Sequence, residues 1–142
     1  MIRAWAVAAV AVVGWGWPPL AAAQTDTLET VVERARAAWL AHDVRSLVAH
    51  SDTIRLRLPG VAASAATRPG QAARLLEEYL SAATEEEFTL RQLRYVQADH
   101  AYAELGRRYA VRGTADVREE MVFLGFRQVN GQWRLREVRI AP

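Results

Sequence analysis

The chain has 142 residues, of which 18 are basic and 16 are acidic, so its net charge at pH 7 is +2 with the histidines neutral. It contains no cysteine, which excludes disulfides, thiol nucleophiles and cysteine-ligated metals. All the basic residues are arginines, and glutamates are interspersed among them. The sequence therefore lacks the segregated basic region that is typical of nucleic-acid binding.

The first 23 residues predict a secretory signal. Arg3 supplies a positive charge, residues 4–13 are small or apolar, and Ala21-Ala22-Ala23 offers a small-residue cleavage site. An N-terminal membrane anchor is the alternative, but glycines and prolines interrupt the apolar run well short of the ~20 residues that a span requires. We expect cleavage after Ala23, a mature domain over residues 24–142, and a periplasmic or secreted location.

Two helices are predicted at the start of the mature domain. Asp26 and Glu29 fit a capping pair for a first helix that runs to about His42. One face of this helix is apolar and carries Leu28, Val31, Val32, Ala35, Ala38 and Trp39. Asp43 is the predicted cap of a short second helix from Val44 to about His50.

The periodicity then changes from helical to alternating. Residues 53–58 alternate strictly, which predicts a strand with one buried face, and Pro59-Gly60 ends it. An alanine-rich loop extends over residues 59–70. A third helix follows, with the clearest amphipathic stripe in the chain: Ala72, Leu75, Leu76, Tyr79, Leu80 and Ala83.

The remaining sequence predicts four strands joined by short turns. They span Phe88–Gln97, Ala101–Arg112, Val117–Val129 and Trp133–Ile140. The apolar phase slips between Leu90 and Leu93, as a β-bulge would require, and Asn130-Gly131 predicts a type I′ turn. We therefore expect an α+β fold, in which a curved antiparallel sheet carries the three helices of the N-terminal half on its concave face.

This order of elements, with Asp43 opening the second helix and the closing segment Asn130–Leu135, resembles the NTF2-like superfamily and implies its cone-shaped fold. Within the superfamily the chain is most similar to exported bacterial domains of the DUF4783 type. The matching positions are Gln71-Ala72, Tyr79-Leu80, Phe88 and Tyr102–Gly106, whereas the His-x-Gly of that group has no clear counterpart. The superfamily contains isomerases, cyclases, hydrolases and dehydratases as well as non-enzymatic binding modules, so the fold does not decide the function.

Residues for catalysis or metal binding form no strong pattern. His42, His50 and His100 are the only histidines, and the cap at Asp43 separates the first two, so we predict no metal site. No serine lies in a G-x-S-x-G motif or has an identifiable base. Four acids could in principle act as a base but fit caps, turns or exposed strand positions better: Asp43, Asp52, Asp99 and Glu104.

The resemblance to ketosteroid isomerases allows the sequence to be checked for a general base at a particular position. It implies a general base near the end of the first strand, directly before a turn. This chain has Arg57-Leu58 there, followed by Pro59-Gly60. Arginine stays protonated and leucine carries no titratable proton, so neither can abstract a proton.

A candidate ligand pocket lies at the mouth of the expected cone. Its predicted lining is Trp39, Tyr79, Tyr95, Arg107, Tyr109, Met121 and Trp133, although such aromatic stripes are more often plain core. Arg107 is in phase with Leu105 and Tyr109 on an otherwise apolar face. It could pair with an acid or bind an anionic ligand, but a snorkelling or edge arginine is favoured.

The sequence thus predicts an exported, non-enzymatic NTF2-like module without a cofactor, which binds a small apolar ligand or a protein partner. One alternative is an isomerase, cyclase or hydratase with an atypically placed acid. The other is a structural module that forms a homodimer through the convex face of the sheet. Neither nucleic acid nor, after signal cleavage, a membrane is an expected partner.

Overall fold

The computed structural model describes residues 14, 16, 26–62 and 66–142. The predicted signal therefore lies outside the described residues, apart from Gly14 and Gly16. In the described part the elements are α1 (Leu28–Leu40), α2 (Val44–Val48), β1 (Arg55–Arg57), α3 (Pro69–Ser81), β2 (Ala83–Gln97), β3 (His100–Val111), β4 (Val117–Val129) and β5 (Gln132–Ala141). No helix among these residues has the length and apolar character needed to cross a membrane.

The first helix begins differently from the prediction. Thr27 is its N-cap, because the Thr27 hydroxyl oxygen accepts a hydrogen bond from the backbone N–H of Thr30 at 3.2 Å. The predicted Asp26–Glu29 capping pair is therefore wrong, and Asp26 instead forms an ion pair with Arg34 at 2.9 Å. The helix ends at Leu40, and the chain turns at His42, where φ is +53°.

The predicted cap of the second helix is confirmed. The carboxylate of Asp43 accepts hydrogen bonds from the backbone N–H of Ser46 at 3.2 Å and from the Ser46 hydroxyl at 2.6 Å. The helix is shorter than expected and ends at Val48. The third helix begins earlier than expected, at Pro69, because proline at the first helical position sacrifices no intrahelical hydrogen bond.

The sheet has the strand order β1-β5-β4-β3-β2. The four long strands are antiparallel, whereas β1 runs parallel to β5 with Arg55 opposite Glu137, so the sheet is mixed rather than fully antiparallel. Strand β2 begins at Ala83 rather than Phe88, and the predicted bulge is confirmed by a shift of register between Leu90 and Gln92.

The helices cover the concave face of the curved sheet and enclose the core, so the α+β prediction is confirmed. The largest core side chains include Trp39, Leu76, Phe88 and Leu124, all of which are fully buried. Along β3 the buried positions alternate from Ala101 to Tyr109, as predicted. This alternation places every second residue of β3 on the concave face, and Arg107 is one of them.

Candidate functional site

A charged cluster lies buried at one end of the concave face. Arg107 of β3 lies opposite Glu120 of β4, and the next concave position of β3, Tyr109, lies opposite Glu85 of β2. The side chains of Arg107, Glu85 and Glu120 are only 1%, 3% and 9% exposed. With Tyr79 and Tyr109 they form what we call the Arg107 cluster.

Glu85 holds one edge of the guanidinium group. The Nε of Arg107 donates to Oε2 of Glu85 at 3.0 Å, and Nη2 donates to Oε1, so the contact is bidentate. The Nε2 atom of His42 lies 3.2 Å from the same Oε1. His42 reaches this position because the backbone turns at the end of α1.

Glu120 holds the other side of the guanidinium group. Its Oε2 accepts a hydrogen bond from Nη1 of Arg107 at 2.9 Å. Its Oε1 accepts hydrogen bonds from the hydroxyl of Tyr79 at 2.6 Å and from the hydroxyl of Tyr109 at 3.1 Å. Every oxygen of both carboxylates is therefore engaged within the cluster.

Aromatic rings enclose the charged groups. The guanidinium carbon of Arg107 lies 4.0 Å from the ring centre of Tyr109 and 5.5 Å from those of Tyr79 and Trp39, within the range of cation–π attraction. Trp39 in turn stacks on Phe88, with ring centres 4.8 Å apart. Aromatic surface therefore surrounds the guanidinium group of Arg107.

The pKa values of Arg107, Tyr79 and Tyr109 are all raised, so these three groups stay protonated near neutral pH. Burial alone would lower the pKa of Arg107, but the hydrogen bonds and charges of Glu85 and Glu120 outweigh burial, so the pKa is raised. Burial, reinforced by Glu120, raises the pKa of Tyr79 far above its usual range and also raises that of Tyr109. Both tyrosines therefore remain hydrogen-bond donors, and neither is poised to lose a proton near neutral pH.

The other predicted pocket residues lie elsewhere. Tyr95 and Trp133 pack edge to face, 6.1 Å apart, at the opposite end of the sheet. Met121 pairs with Gly106 and lies on the convex face, because its neighbour Val122 is the buried concave residue. Of the predicted lining, the structure brings together Trp39, Tyr79, Arg107 and Tyr109.

Solved structures with the same architecture identify the fold. A ketosteroid isomerase-like protein from Erwinia carotovora atroseptica SCRI1043 matches with a TM-score of 0.65 and 16% identity, covering 80% of this chain and 94% of that one. An NTF2-like protein of unknown function from Pseudomonas putida KT2440 matches with a TM-score of 0.63 and 20% identity, covering 80% and 82%. This chain has the NTF2-like fold.

The expected similarity to DUF4783 proteins is also found. A DUF4783 family protein from Bacteroides uniformis ATCC 8492 aligns with the NTF2-like chain with a TM-score of 0.64 and 15% identity, covering 76% of this chain and 93% of that one. Neither a family model nor a curated protein sequence matches. At these identities the likeness establishes the fold, and the function has to be argued from the residues themselves.

Sequence reasoning missed the two acids of this NTF2-like core. The acids considered from the sequence were Asp43, Asp52, Asp99 and Glu104, whereas Glu85 and Glu120 are the acids that lie buried beside Arg107. Sequence reasoning also favoured a snorkelling Arg107, whereas Arg107 is buried and paired. The alternation of the strands could have revealed both acids, because residues two positions apart lie on the same face of a sheet. Glu120 lies two residues before buried Val122, and Glu85 lies two residues after buried Ala83.

None of the helices in the described part of the chain lies on the convex face of the sheet. The middle of this face forms a shallow groove of about 320 Å³, and we call its lining the central patch: Arg94, Val96, Tyr102, Glu104, Phe123, Glu137 and Arg139. Arg94 pairs with Glu104 at 3.5 Å, and the guanidinium carbon of Arg139 lies 4.3 Å from the ring centre of Phe123. The patch thus combines apolar side chains with two positive and two negative charges.

The positions weighed for catalysis and metal binding do not assemble into a site. Arg57, at the strand end where the isomerase resemblance implies a base, is exposed, and Leu58 is buried. In the described part of the chain, no three His, Cys, Asp or Glu side chains converge as a metal site would require.

Proposed function

We propose that this chain is an exported, non-enzymatic NTF2-like module that associates with a second copy of itself through the central patch. The observation that supports the proposal is the Arg107 cluster, in which both buried carboxylates at this end of the concave face pair with Arg107. With these polar groups paired to each other, we look to the convex face for the binding surface.

The hydrogen bonds of the cluster argue against proton-transfer catalysis. A general base must reach a substrate proton with a free lone pair. Oxygen atoms of Glu85 and Glu120 accept from Arg107, and Tyr79 and Tyr109 add two further donors to Glu120. A substrate proton would have to compete with these donors at either acid.

The cavity beside α1 and α2 is too small for a typical apolar ligand. Between α1, α2 and β5 a partly apolar space of about 50 Å³ is bordered by Val31, Leu47, Phe126 and Trp133. Ligand pockets usually measure about 300–1,000 Å³. A space this small suits a water molecule or two rather than a ligand, which favours the protein partner over the apolar ligand.

The composition of the central patch favours a second copy as that partner. A two-fold symmetric interface contacts itself, so it needs both members of every complementary pair. The patch has this property, because Arg94 and Arg139 are matched in number by Glu104 and Glu137. Phe123 and Tyr102 supply the aromatic centre that protein interfaces favour.

The mass in solution tests this interface. Light scattering of the mature domain should give twice the mass of one chain, and Phe123→Glu should give the single-chain mass because it places a charge at the centre of the patch. Val61→Glu, which changes an exposed apolar residue on the loop after β1, is the matched control and should remain dimeric. A monomeric wild type, or a dimeric Phe123→Glu variant, would contradict the proposed interface.

The enzyme alternative has a separate test. The wild type should turn over no substrate in a panel for isomerases, cyclases and hydratases. Turnover that is lost in Tyr79→Phe, with the thermal midpoint largely retained, would instead assign catalysis to the Arg107 cluster.

Export is tested by the mass of the protein recovered from its native host outside the cytoplasm. The proposal expects an N-terminus at Gln24, and a chain that retains residues 1–17 would contradict it.

A further inference from the structure

A second cavity, of about 300 Å³, opens at the end of the convex face where β1, β5, β4 and β3 meet. We call it the arginine pocket, after the three arginines that line it: Arg55 of β1, Arg127 of β4 and Arg136 of β5. His100 and Tyr102 form one wall, with their ring centres 5.1 Å apart. The pocket is separate from the Arg107 cluster and adjoins the central patch, with which it shares Tyr102 and Glu137.

The charges of this pocket are unbalanced, unlike those of the central patch. Three arginines line it against one acid, Glu137. Arg55 lies opposite Glu137 in the sheet, yet neither Arg55 nor Arg127 forms an ion pair within the described part of the chain. Glu137 accepts a hydrogen bond from the Tyr102 hydroxyl at 3.0 Å instead.

Arg136 is only partly satisfied by its protein neighbours. Its Nη1 donates to the Thr53 hydroxyl at 3.1 Å, and its Nη2 lies 3.5 Å from Asp52, which also pairs with Arg134. Its Nε is buried and has no hydrogen-bond acceptor among the described residues. This guanidinium group is therefore not fully paired within the described part of the chain.

A bulge in β5 and a glycine in β4 place Arg136 and Tyr102 in the pocket lining. A bulge in β5 leaves Arg136 without an opposing residue on β4, because Leu135 pairs with Phe126 and Glu137 pairs with Gly125. Such a bulge redirects a side chain that would otherwise follow the alternation of the strand. Gly125 leaves room for the ring of Tyr102, since a Cβ atom there would lie 2.9 Å from that ring.

We propose that the arginine pocket binds a phosphomonoester. Guanidinium groups match the oxygens of a phosphate geometrically, and the excess of two positive charges in the lining matches a phosphate dianion. The cavity is about ten times the share of ~30 Å³ that one water molecule occupies in the liquid, so it also has room for an organic group. That group would lie against His100 and Tyr102. The site goes beyond the proposed dimer and does not require it.

Titration calorimetry at fixed ionic strength, with phenyl phosphate and inorganic phosphate as probes, tests this proposal. We expect saturable binding of both probes and tighter binding of phenyl phosphate. Arg55→Gln and Arg127→Gln should each weaken phenyl phosphate binding by about tenfold or more, the range expected for losing a charge-assisted hydrogen bond. Both arginines are exposed, so we expect the variants to fold. Thermal midpoints close to that of the wild type will confirm that they do.

Arg57→Gln is the matched control, because Arg57 is equally charged, exposed and two residues along the same strand but lies outside the pocket. Its affinity should stay within about twofold of wild type, because Arg57 lines no part of the pocket and can donate no hydrogen bond to a ligand there. An equal loss in Arg57→Gln, or no saturable binding of either probe up to about 10 mM, would overturn the site. Equal affinity for the two probes would overturn the proposal that the ligand is an ester and would leave free phosphate as the ligand. Because the pocket and the central patch share Tyr102 and Glu137, the calorimetry is also run on Phe123→Glu, which should still bind phenyl phosphate whether or not light scattering finds a wild-type dimer.

Discussion

Arg107 and the acids around it depend on one another for their stability. Transferring a charged side chain from water into a protein core is unfavourable, and the ion pairs of the Arg107 cluster offset that cost only while every partner is present. The cluster contains two carboxylates for one guanidinium group, with His42 beside Glu85. Loss of the arginine would therefore leave two negative charges buried together.

We predict that Arg107→Met destabilises the protein by about 3–5 kcal/mol, the usual effect of removing one partner of a buried ion pair. Denaturant unfolding monitored by circular dichroism measures the change. Arg108→Met is the control, since Arg108 pairs with Glu86 where both side chains are largely exposed, and should change stability by less than about 1 kcal/mol. Similar losses in the two variants would show that Arg107 is not held as described.

The two tyrosines of the cluster should behave as a coupled pair. Tyr79 and Tyr109 donate to the same oxygen of Glu120, so either hydroxyl can still serve it when the other is absent. We predict that Tyr79→Phe combined with Tyr109→Phe costs more than the sum of the single changes, by about 0.5–3 kcal/mol. A double-mutant cycle on unfolding free energies measures this coupling, and strict additivity would contradict the shared acceptor.

At the scale of elements, the cap of α2 gives the fold a pH-dependent contribution. The hydrogen bonds from the side chain and backbone of Ser46 lower the pKa of Asp43 below its ordinary value of 3.8. Because the pKa is lower in the folded chain than in the unfolded one, ionised Asp43 stabilises the fold above pH 3.8. That stabilisation is lost as the pH falls through the folded pKa.

Asp43→Asn isolates this effect, because asparagine also caps helices but carries no charge. The wild type should be the more stable protein near neutral pH, and the difference should shrink as the pH is lowered through 3.8 and below. Urea unfolding of both proteins between about pH 2 and pH 6 gives the comparison. A difference that does not change with pH would mean that the charge of Asp43 contributes nothing.

The turn between β4 and β5 requires a left-handed backbone conformation at both of its central residues. Asn130 and Gly131 have φ values of +52° and +76°, as the predicted type I′ turn requires. A Cβ atom at Gly131 would contact nothing within 4 Å, so substitution there causes strain but no clash. Gly131→Val should therefore destabilise by about 1–2 kcal/mol.

Gly70→Ala is the control for that turn. Gly70 lies in α3 with open space around it and without a positive φ, so alanine there should be neutral or slightly stabilising. Thermal unfolding distinguishes the two positions. Equal stability of Gly131→Val and wild type would mean that the turn has another geometry.

These elements also show what sequence can predict. The Asp43 cap and the Asn130-Gly131 turn depend on residues a few positions apart, so the local sequence was enough to predict both correctly. The start of β2 was missed because Glu85, Glu86 and Glu87 resemble a solvated run. The burial of Glu85 follows only when β2, β3 and α1 are brought together, and a single sequence does not fix that register.

At the scale of the whole molecule, the α+β order and the packing of helices on one face were predictable because hydrophobic periodicity reports which faces are buried. The parallel pairing of β1 with β5 was not, since a strand of three residues carries no signal for its partner. The arginine pocket depends on that pairing, because Arg55 reaches the other arginines only from β1.

The place of β1 in the sheet also determines when the fold can be completed during synthesis. Glu137, opposite Arg55, comes 82 positions later in the chain. At the usual ~5–20 residues per second a ribosome needs about 4–16 s to cover that distance. Until β5 is available, β1 lacks its strand partner, and the nearby bridge between Ile54 and Thr67 is the backbone pairing that can form first. Arg55 and Arg57, one on each side of its single apolar residue, are charges of the kind that keep a waiting strand from joining a neighbouring chain.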